Sequence, residues 1–187
     1  MSQSTNQPTI AQLSSRVVYE NPWMTLREDR ILRPDGSEGI YSVVDKPDFA
    51  LIVPAHDDGF HLVEEYRYPI GRRSWAFPQG TFPQGKDGTP DELARMELIQ
   101  EAGLHAETLT YLGFLHCSHG TSGQGMHAFL ATHLTAGAPD REHEEQDMRQ
   151  QWVTRAEFER MILDGRVTDD SSVAAYTLLS LHERRSQ

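Results

Sequence analysis

A single cysteine, Cys117, leaves this chain without the means to form an internal disulfide, so a reducing, cytoplasmic setting is expected. No apolar run comes near the roughly 18 residues of a membrane-spanning helix. The opening M-S-Q-S-T-N-Q-P-T has neither the basic nor the apolar part of a secretory signal, which adds to the cytoplasmic expectation. Basic residues are in deficit: 17 Lys and Arg stand against 28 Asp and Glu, a net charge of −11. A general nucleic-acid binder needs a basic face to meet phosphates, so the balance argues against that class. A small anionic substrate held by a few arginines and metal ions stays open. The nine histidines are scattered and show no zinc-site spacing, so most read as surface or loop residues.

What is present suits one domain with a small extension, and 37% hydrophobic residues can build a core. Residues 1–14 are polar and read as a disordered tail. Strand-like runs follow at Arg16–Glu20, Trp23–Arg33 and Ile40–Val44, with Pro34-Asp35-Gly36 as a hairpin turn. They assign 15–47 to a small antiparallel sheet and 48–187 to the main domain. A second hairpin joins Phe49–Pro54 to Phe60–Tyr66 through His56-Asp57-Asp58-Gly59. Further strands are expected at Leu109–Cys117, Met126–Leu134 and Gln151–Val153. Thr154 with Glu157 signs a capping box for a helix ending near Leu163. Asp170 is the expected cap of a last helix, Ser171–Glu183, with Val173, Ala174, Leu178 and Leu181 as its apolar stripe. The expected fold class is α+β, an α-β-α sandwich.

The stretch Trp75–Leu104 is the most informative. It reads as a short strand, a glycine-rich loop and one helix. Thr89 at N-cap, Pro90 at the first helical position and Glu92 at N3 make a capping box, and Gly103 stands where a left-handed terminal residue belongs. Glu97 and Glu101 are one turn apart and share a side with Leu93, Ala94 and, at the edge, Leu98. Spacing alone leaves two readings: two solvated glutamates on a surface helix, or a carboxylate pair set among apolar neighbours to take a hard divalent cation.

Loop and helix together resemble the Nudix box, which runs Gly, five residues, Glu, seven residues, Arg-Glu-U-x-Glu-Glu-x-Gly-U, with U aliphatic. Glu97-Leu98-Ile99-Gln100-Glu101-Ala102-Gly103-Leu104 fits the second half with one change, and Gly80 matches the opening glycine, two residues too far away. The resemblance implies Mg²⁺ or Mn²⁺ held by the Gly80 carbonyl, Glu97 and Glu101. Met96 replaces the motif arginine, Gln100 the penultimate glutamate, and Lys86 or Gly88 the early one.

Outside the box the chain, from about Arg16 to its last helix, is similar to the ADP-ribose pyrophosphatase branch of the Nudix hydrolases. Glu65-Tyr66-Arg67-Tyr68-Pro69 matches a family Q-Y-R-Y-P pattern whose arginine meets the substrate diphosphate, which implies that role for Arg67; a local ion pair is the alternative. Trp75-Ala76-Phe77-Pro78-Gln79-Gly80 matches W-E-L/F-P-A-G with its glutamate lost at Ala76, and Ser122-Gly123-Gln124 matches a serine-x-glutamate ending with Gln124 at the acid's place. By position, Trp23 and Tyr41 match a pair of adenine-clamping aromatics, against plain sheet packing or a dimer contact. Glu144, with neighbours Glu142 and Glu145, matches a loop that delivers a catalytic glutamate, although acidic runs are commonly just solvated.

The resemblance thus implies a Nudix fold, an α-β-α sandwich with a mixed sheet, preceded by an antiparallel sheet through which two copies pair as a homodimer. The implied activity is metal-dependent hydrolysis of a nucleoside diphosphate derivative such as ADP-ribose or a nucleotide sugar. Three rivals remain: a nucleotide-binding module with weakened hydrolysis, RNA pyrophosphohydrolase-like activity suggested by Pro78-Gln79-Gly80, and a different reaction on the same fold.

Overall fold

The computed structural model describes residues 9–141 and 147–185. The chain divides into two compact units, Met1–Pro47 with His116–Gln124, and Asp48–Leu115 with Gly125–Gln187.

The first unit is an antiparallel sheet of β1 (Ala11–Asn21), β2 (Met24–Leu32) and β3 (Glu38–Asp45), in that order. β1 starts at Ala11, so the strand takes in residues 11–14, which polar composition places in a tail. Ala11 and Gln12 are ordered by pairing with Leu32 and Ile31, a long-range partnership that composition cannot register. The Ser118–Gln124 loop closes on this sheet: the Val44 N–H donates to Thr121 O at 2.8 Å, and the Gln124 amide donates to Pro47 O at 2.8 Å.

The second unit is built on a sheet ordered β10-β5-β4-β9-β8, comprising β10 (Arg149–Thr154), β5 (Gly59–Arg67), β4 (Phe49–His56), β9 (Gly125–Ala136) and β8 (Leu104–His116). β4 and β9 run parallel and the other described pairings are antiparallel, so the sheet is mixed. The β4–β5 hairpin pairs only near its tip, Ala55 with Phe60 and His56 with Gly59. Beyond that β5 takes β6 (Arg72–Ala76) and β4 takes β7 (Gln79–Gly80). The strands therefore part, and the glycine-rich loop enters the gap.

Ala50, Leu51, Ile52 and Val53 are fully buried, as a strand covered on both faces requires. Ala50 and Ile52 pack against helix α1 (Pro90–Ala102) with Leu93, Ala94, Leu98 and Phe129. On the other face Phe60, Phe77 and Phe158 stack and meet edge to face, with Tyr176 beside them. Phe158 comes from α2 (Arg155–Leu163) and Tyr176 from α3 (Asp170–Arg185). This unit is the expected α-β-α sandwich.

Two helix signals resolve differently from expectation. Thr154 caps α2 by accepting the Glu157 N–H at 3.1 Å, but the Glu157 carboxylate turns to Arg160 and Arg166 instead of completing a box. The cap of α3 is Asp169, whose carboxylate accepts the Ser172 N–H at 2.8 Å, and not Asp170. The buried stripe of α3 moves with it, to Ser171, Ser172, Ala175 and Leu179, while Leu181 is exposed. Among the described residues no helix is long and apolar enough to cross a membrane.

Candidate active site

Helix α1 aims the two carboxylates as its caps dictate. The Thr89 hydroxyl accepts the Glu92 N–H, and the Glu92 carboxylate accepts the Thr89 N–H at 2.8 Å. Gly103, at φ 60°, closes the other end in the left-handed conformation. Between them Leu93, Ala94, Glu97, Leu98, Glu101 and Ala102 are buried, so the side expected from spacing is the side that packs. Glu97 is 5% exposed and Glu101 3%. Burying two acids costs free energy unless hydrogen bonds or a cation compensate. The Gln79 N–H donates to Glu101 Oε2 at 3.1 Å, one such compensation.

The loop is pinned above them. Gly80 pairs with Ala50, Gln79 with Leu51, and the Ile52 N–H donates to Pro78 O at 2.9 Å. The Phe77 N–H donates to Ser172 Oγ at 2.9 Å, tying the segment to α3. Gly80 lies so close to Glu97 that a Cβ there would fall 2.5 Å from Oε2. Only a residue without a side chain lets the main chain rest on that carboxylate.

Two buried carboxylates under a loop backbone are a set of hard oxygen donors, and that donor chemistry fits Mg²⁺ or Mn²⁺. Among the described residues no group of three His, Cys, Asp or Glu side chains could hold a metal. Glu97 and Glu101 supply two such oxygen donors, and Mg²⁺ characteristically keeps several waters and takes further oxygens from phosphates.

Arg67 ends β5 and pairs with Glu65 at 2.8 Å. Burial pushes the Glu65 carboxyl above its ordinary value, and the Arg67 charge opposes that shift. Arg67 also borders a cavity of about 230 Å³ shared with Ile70, Ser74, Ala76, Thr168 and Asp169. Gln79 stands at the junction: its main chain donates to Glu101 and its side-chain amide donates to Asp169 Oδ2 at 3.0 Å. Asp169 and the Ser74–Thr168 pair carry no motif, and only the assembled fold reveals them.

The departures from the box have structural occupants. Met96 packs against the α1-side core where the motif places an arginine. In the first unit the Gln124 amide is spent on Pro47 O. Trp23, 69% exposed, sits at the β1–β2 turn, and Tyr41 pairs with Asp29 and donates its hydroxyl to Gly120 O at 2.8 Å. Six residues of strand separate Trp23 from the Tyr41 level, about 20 Å at strand rise, so within one chain the two rings do not form a clamp. The structure therefore places Arg67, Gly80, Glu97 and Glu101 in the second unit and Trp23, Tyr41 and Gln124 in the first. Glu144, with Glu142 and Glu145, lies outside the described residues.

Comparison with known proteins covers both units. Residues 46–176 match the family model described as NUDIX domain, and residues 11–44 match the Nucleoside diphosphate sugar hydrolase N-terminal domain. The chain is 33% identical over 173 residues to an ADP-ribose pyrophosphatase of Mycobacterium tuberculosis (strain ATCC 25618 / H37Rv), covering 91% of this chain and 82% of that protein. It is 25% identical over 173 residues to an ADP-ribose pyrophosphatase of Bacillus subtilis (strain 168), covering 91% and 92%. It is also 26% identical over 176 residues to the methanol dehydrogenase activator of Bacillus methanolicus, covering 91% and 92%. A crystal structure described as an ADP compounds hydrolase shares the fold, with a TM-score of 0.84 over 98% of each chain at 21% identity.

Proposed function

We propose that this chain, which belongs to the Nudix hydrolase family, cleaves the pyrophosphate bond of a nucleoside diphosphate derivative, with ADP-ribose as the model substrate. The observation that carries the reading is the pair Glu97 and Glu101, buried on one face of α1 beneath the main chain of Gly80. The names of two relatives, both ADP-ribose pyrophosphatases, support the choice of substrate.

Glu97, Glu101 and the Gly80 carbonyl would hold Mg²⁺ or Mn²⁺, which supplies neutralising charge at the diphosphate and makes water more acidic. Arg67 presents a planar guanidinium to the phosphates, and its pairing with Glu65 fixes its direction. Gln79 holds Glu101 in place through its N–H. Glu144 is assigned the role of orienting or deprotonating the attacking water. Trp23 and Tyr41 are assigned to the base; because one chain does not bring them together, they act separately or with a second copy. The exposed Val17, Val18, Trp23 and Ile40 of the first unit support a homodimer through that sheet, and the single cysteine supports a cytoplasmic setting.

The test is a panel of ADP-ribose, nucleotide sugars and 5′-triphosphate RNA with Mg²⁺ or Mn²⁺, with Glu101→Gln as control. Release of AMP from ADP-ribose, abolished by the substitution, supports the reading. Nucleotide binding without turnover supports instead a binding module, a rival favoured by the packing role of Met96 and the backbone bond of Gln124.

A further inference from the structure

We propose that a second small-molecule site lies at the C-terminal end of α1 and takes an uncharged aminopurine, as the free base or its nucleoside. A cavity of about 300 Å³ opens there, between the turn at Gly103, the end of β9 at Ala136 with Gly137 after it, and the β5–β10 pair that carries His61, Gln150 and Trp152. His61 and Arg67 are six residues apart on β5, about 20 Å at strand rise, so this space is separate from the cavity beside Arg67. The site stands independently of the hydrolase reading.

Shape selects a flat occupant. Trp152, 37% exposed, is paired with His61 across the strands, and its indole N–H donates to His56 O at 3.2 Å. That bond engages the polar edge of the indole and fixes the ring, which leaves its apolar surface for stacking. Another wall is main chain. The Gly137 N–H donates to Gly103 O at 2.6 Å, and a Cβ on Gly103 would fall 2.9 Å from Gly137 O, so only glycine permits the approach. The volume stands at the low end of the roughly 300–1,000 Å³ of small-molecule clefts, which suits one ring system.

The polar groups select the chemistry. Gln150 Nε2 lies 3.4 Å from His61 Nδ1. An amide nitrogen only donates, which assigns the acceptor role to Nδ1 and the ring proton to Nε2. Burial, with a smaller push from His56, holds the His61 imidazole below its ordinary value, so the ring is neutral at pH 7. The Gln150 amide has a second N–H and a carbonyl, the donor and acceptor that a glutamine sets against N7 and the amino group of adenine. Among the described residues that line the cavity none carries a full charge. The carbonyl end of α1 adds a partial negative charge, which disfavours a phosphate. Arg141 donates to Glu101 O at 3.4 Å and already serves that end as its cation. An uncharged heterocycle meets neither objection.

The test is calorimetry with adenosine and with AMP on wild type, Trp152→Leu and Ala136→Phe. Ala136 is exposed, so the phenyl ring fills the cavity without entering the core. Wild type is expected to bind adenosine, with AMP at least about threefold weaker. Each substitution is expected to weaken adenosine at least about tenfold. Saturating α,β-methylene-ADP-ribose with Mg²⁺, a probe that hydrolysis does not consume, is expected to leave the adenosine affinity of wild type unchanged. Displacement of adenosine by that analogue, or variants that bind adenosine as wild type does, would overturn the proposal by placing adenosine elsewhere. AMP bound as tightly as adenosine would overturn the choice of an uncharged ligand. Absence of adenosine binding by wild type would overturn the site and leave the hydrolase reading intact.

Discussion

Replacing Gly80 with alanine separates the position of one carboxylate from the stability of the fold. The new Cβ would lie 2.5 Å from Glu97 Oε2, 2.6 Å from its Cδ and 2.7 Å from Oε1, where ordinary contact begins at 3.4 Å. The carboxylate must therefore withdraw by about 0.9 Å, in a site where Glu97 is 5% exposed and has little free space. The backbone does not object, because Gly80 is not among the positive-φ glycines. What the methyl meets is the far end of a side chain, so the folding cost is on the order of 1 kcal/mol, a shift of a few degrees in Tm for a chain of this length. Misplacing a reacting group by about 1 Å costs about 100-fold in rate, or about 2.7 kcal/mol. The expected result is kcat/KM for ADP-ribose reduced about 100-fold with the melting temperature nearly unchanged. An alanine variant as active as wild type would refute the assignment of Gly80 and Glu97 to one site. A variant that unfolds would refute the claim that Glu97 absorbs the clash.

Thr89→Ala removes the cap that starts α1 and is expected to cost about 1 kcal/mol by urea denaturation at neutral pH. Glu92, held below its ordinary range by hydrogen bonds from Thr89, gives that cap a pH dependence: its contribution is present above the ordinary carboxylate value and is lost as pH falls through the lower folded value. Glu65 has the opposite sign. Burial raises its folded pKa, so its contribution is fully present below about 4.5 and is lost as pH rises through the raised value. Denaturation curves from pH 4 to 7 should therefore show wild type losing ground to Glu65→Gln as pH increases, and parallel curves would contradict this. Gln124→Glu restores the acid of the family pattern, yet it removes the donor to Pro47 O in an exposed bond; a loss of about 0.5–1.5 kcal/mol is expected, with no gain in turnover.

The sequence discloses α1 almost completely because its signals are local. A threonine, a proline and a glutamate at fixed offsets start it, a glycine ends it, and the side bearing Glu97 and Glu101 follows from helical period. Strand limits are legible only roughly. β8 runs from Leu104 where pattern suggests Leu109, since its early residues alternate little apolar content and are ordered by the neighbouring strand. The cap of α3 falls on Asp169 instead of the expected Asp170; Ser172, whose N–H it accepts, is in turn held by Phe77, far away in sequence. The cavity is invisible beforehand for the same reason: Arg67, Ser74 and Thr168 meet only when β5, β6 and the start of α3 are assembled. For Trp23 and Tyr41 position along the chain fixes no distance: the sheet register sets them about 20 Å apart within one chain.

The most direct measurement of the central claim is Mn²⁺ binding followed by electron paramagnetic resonance, with wild type, Glu97→Gln and Glu101→Gln, each with and without α,β-methylene-ADP-ribose. Wild type is expected to sequester Mn²⁺, more tightly with the nucleotide present, and each substitution is expected to weaken binding at least tenfold. Equal Mn²⁺ binding by all three proteins would contradict it.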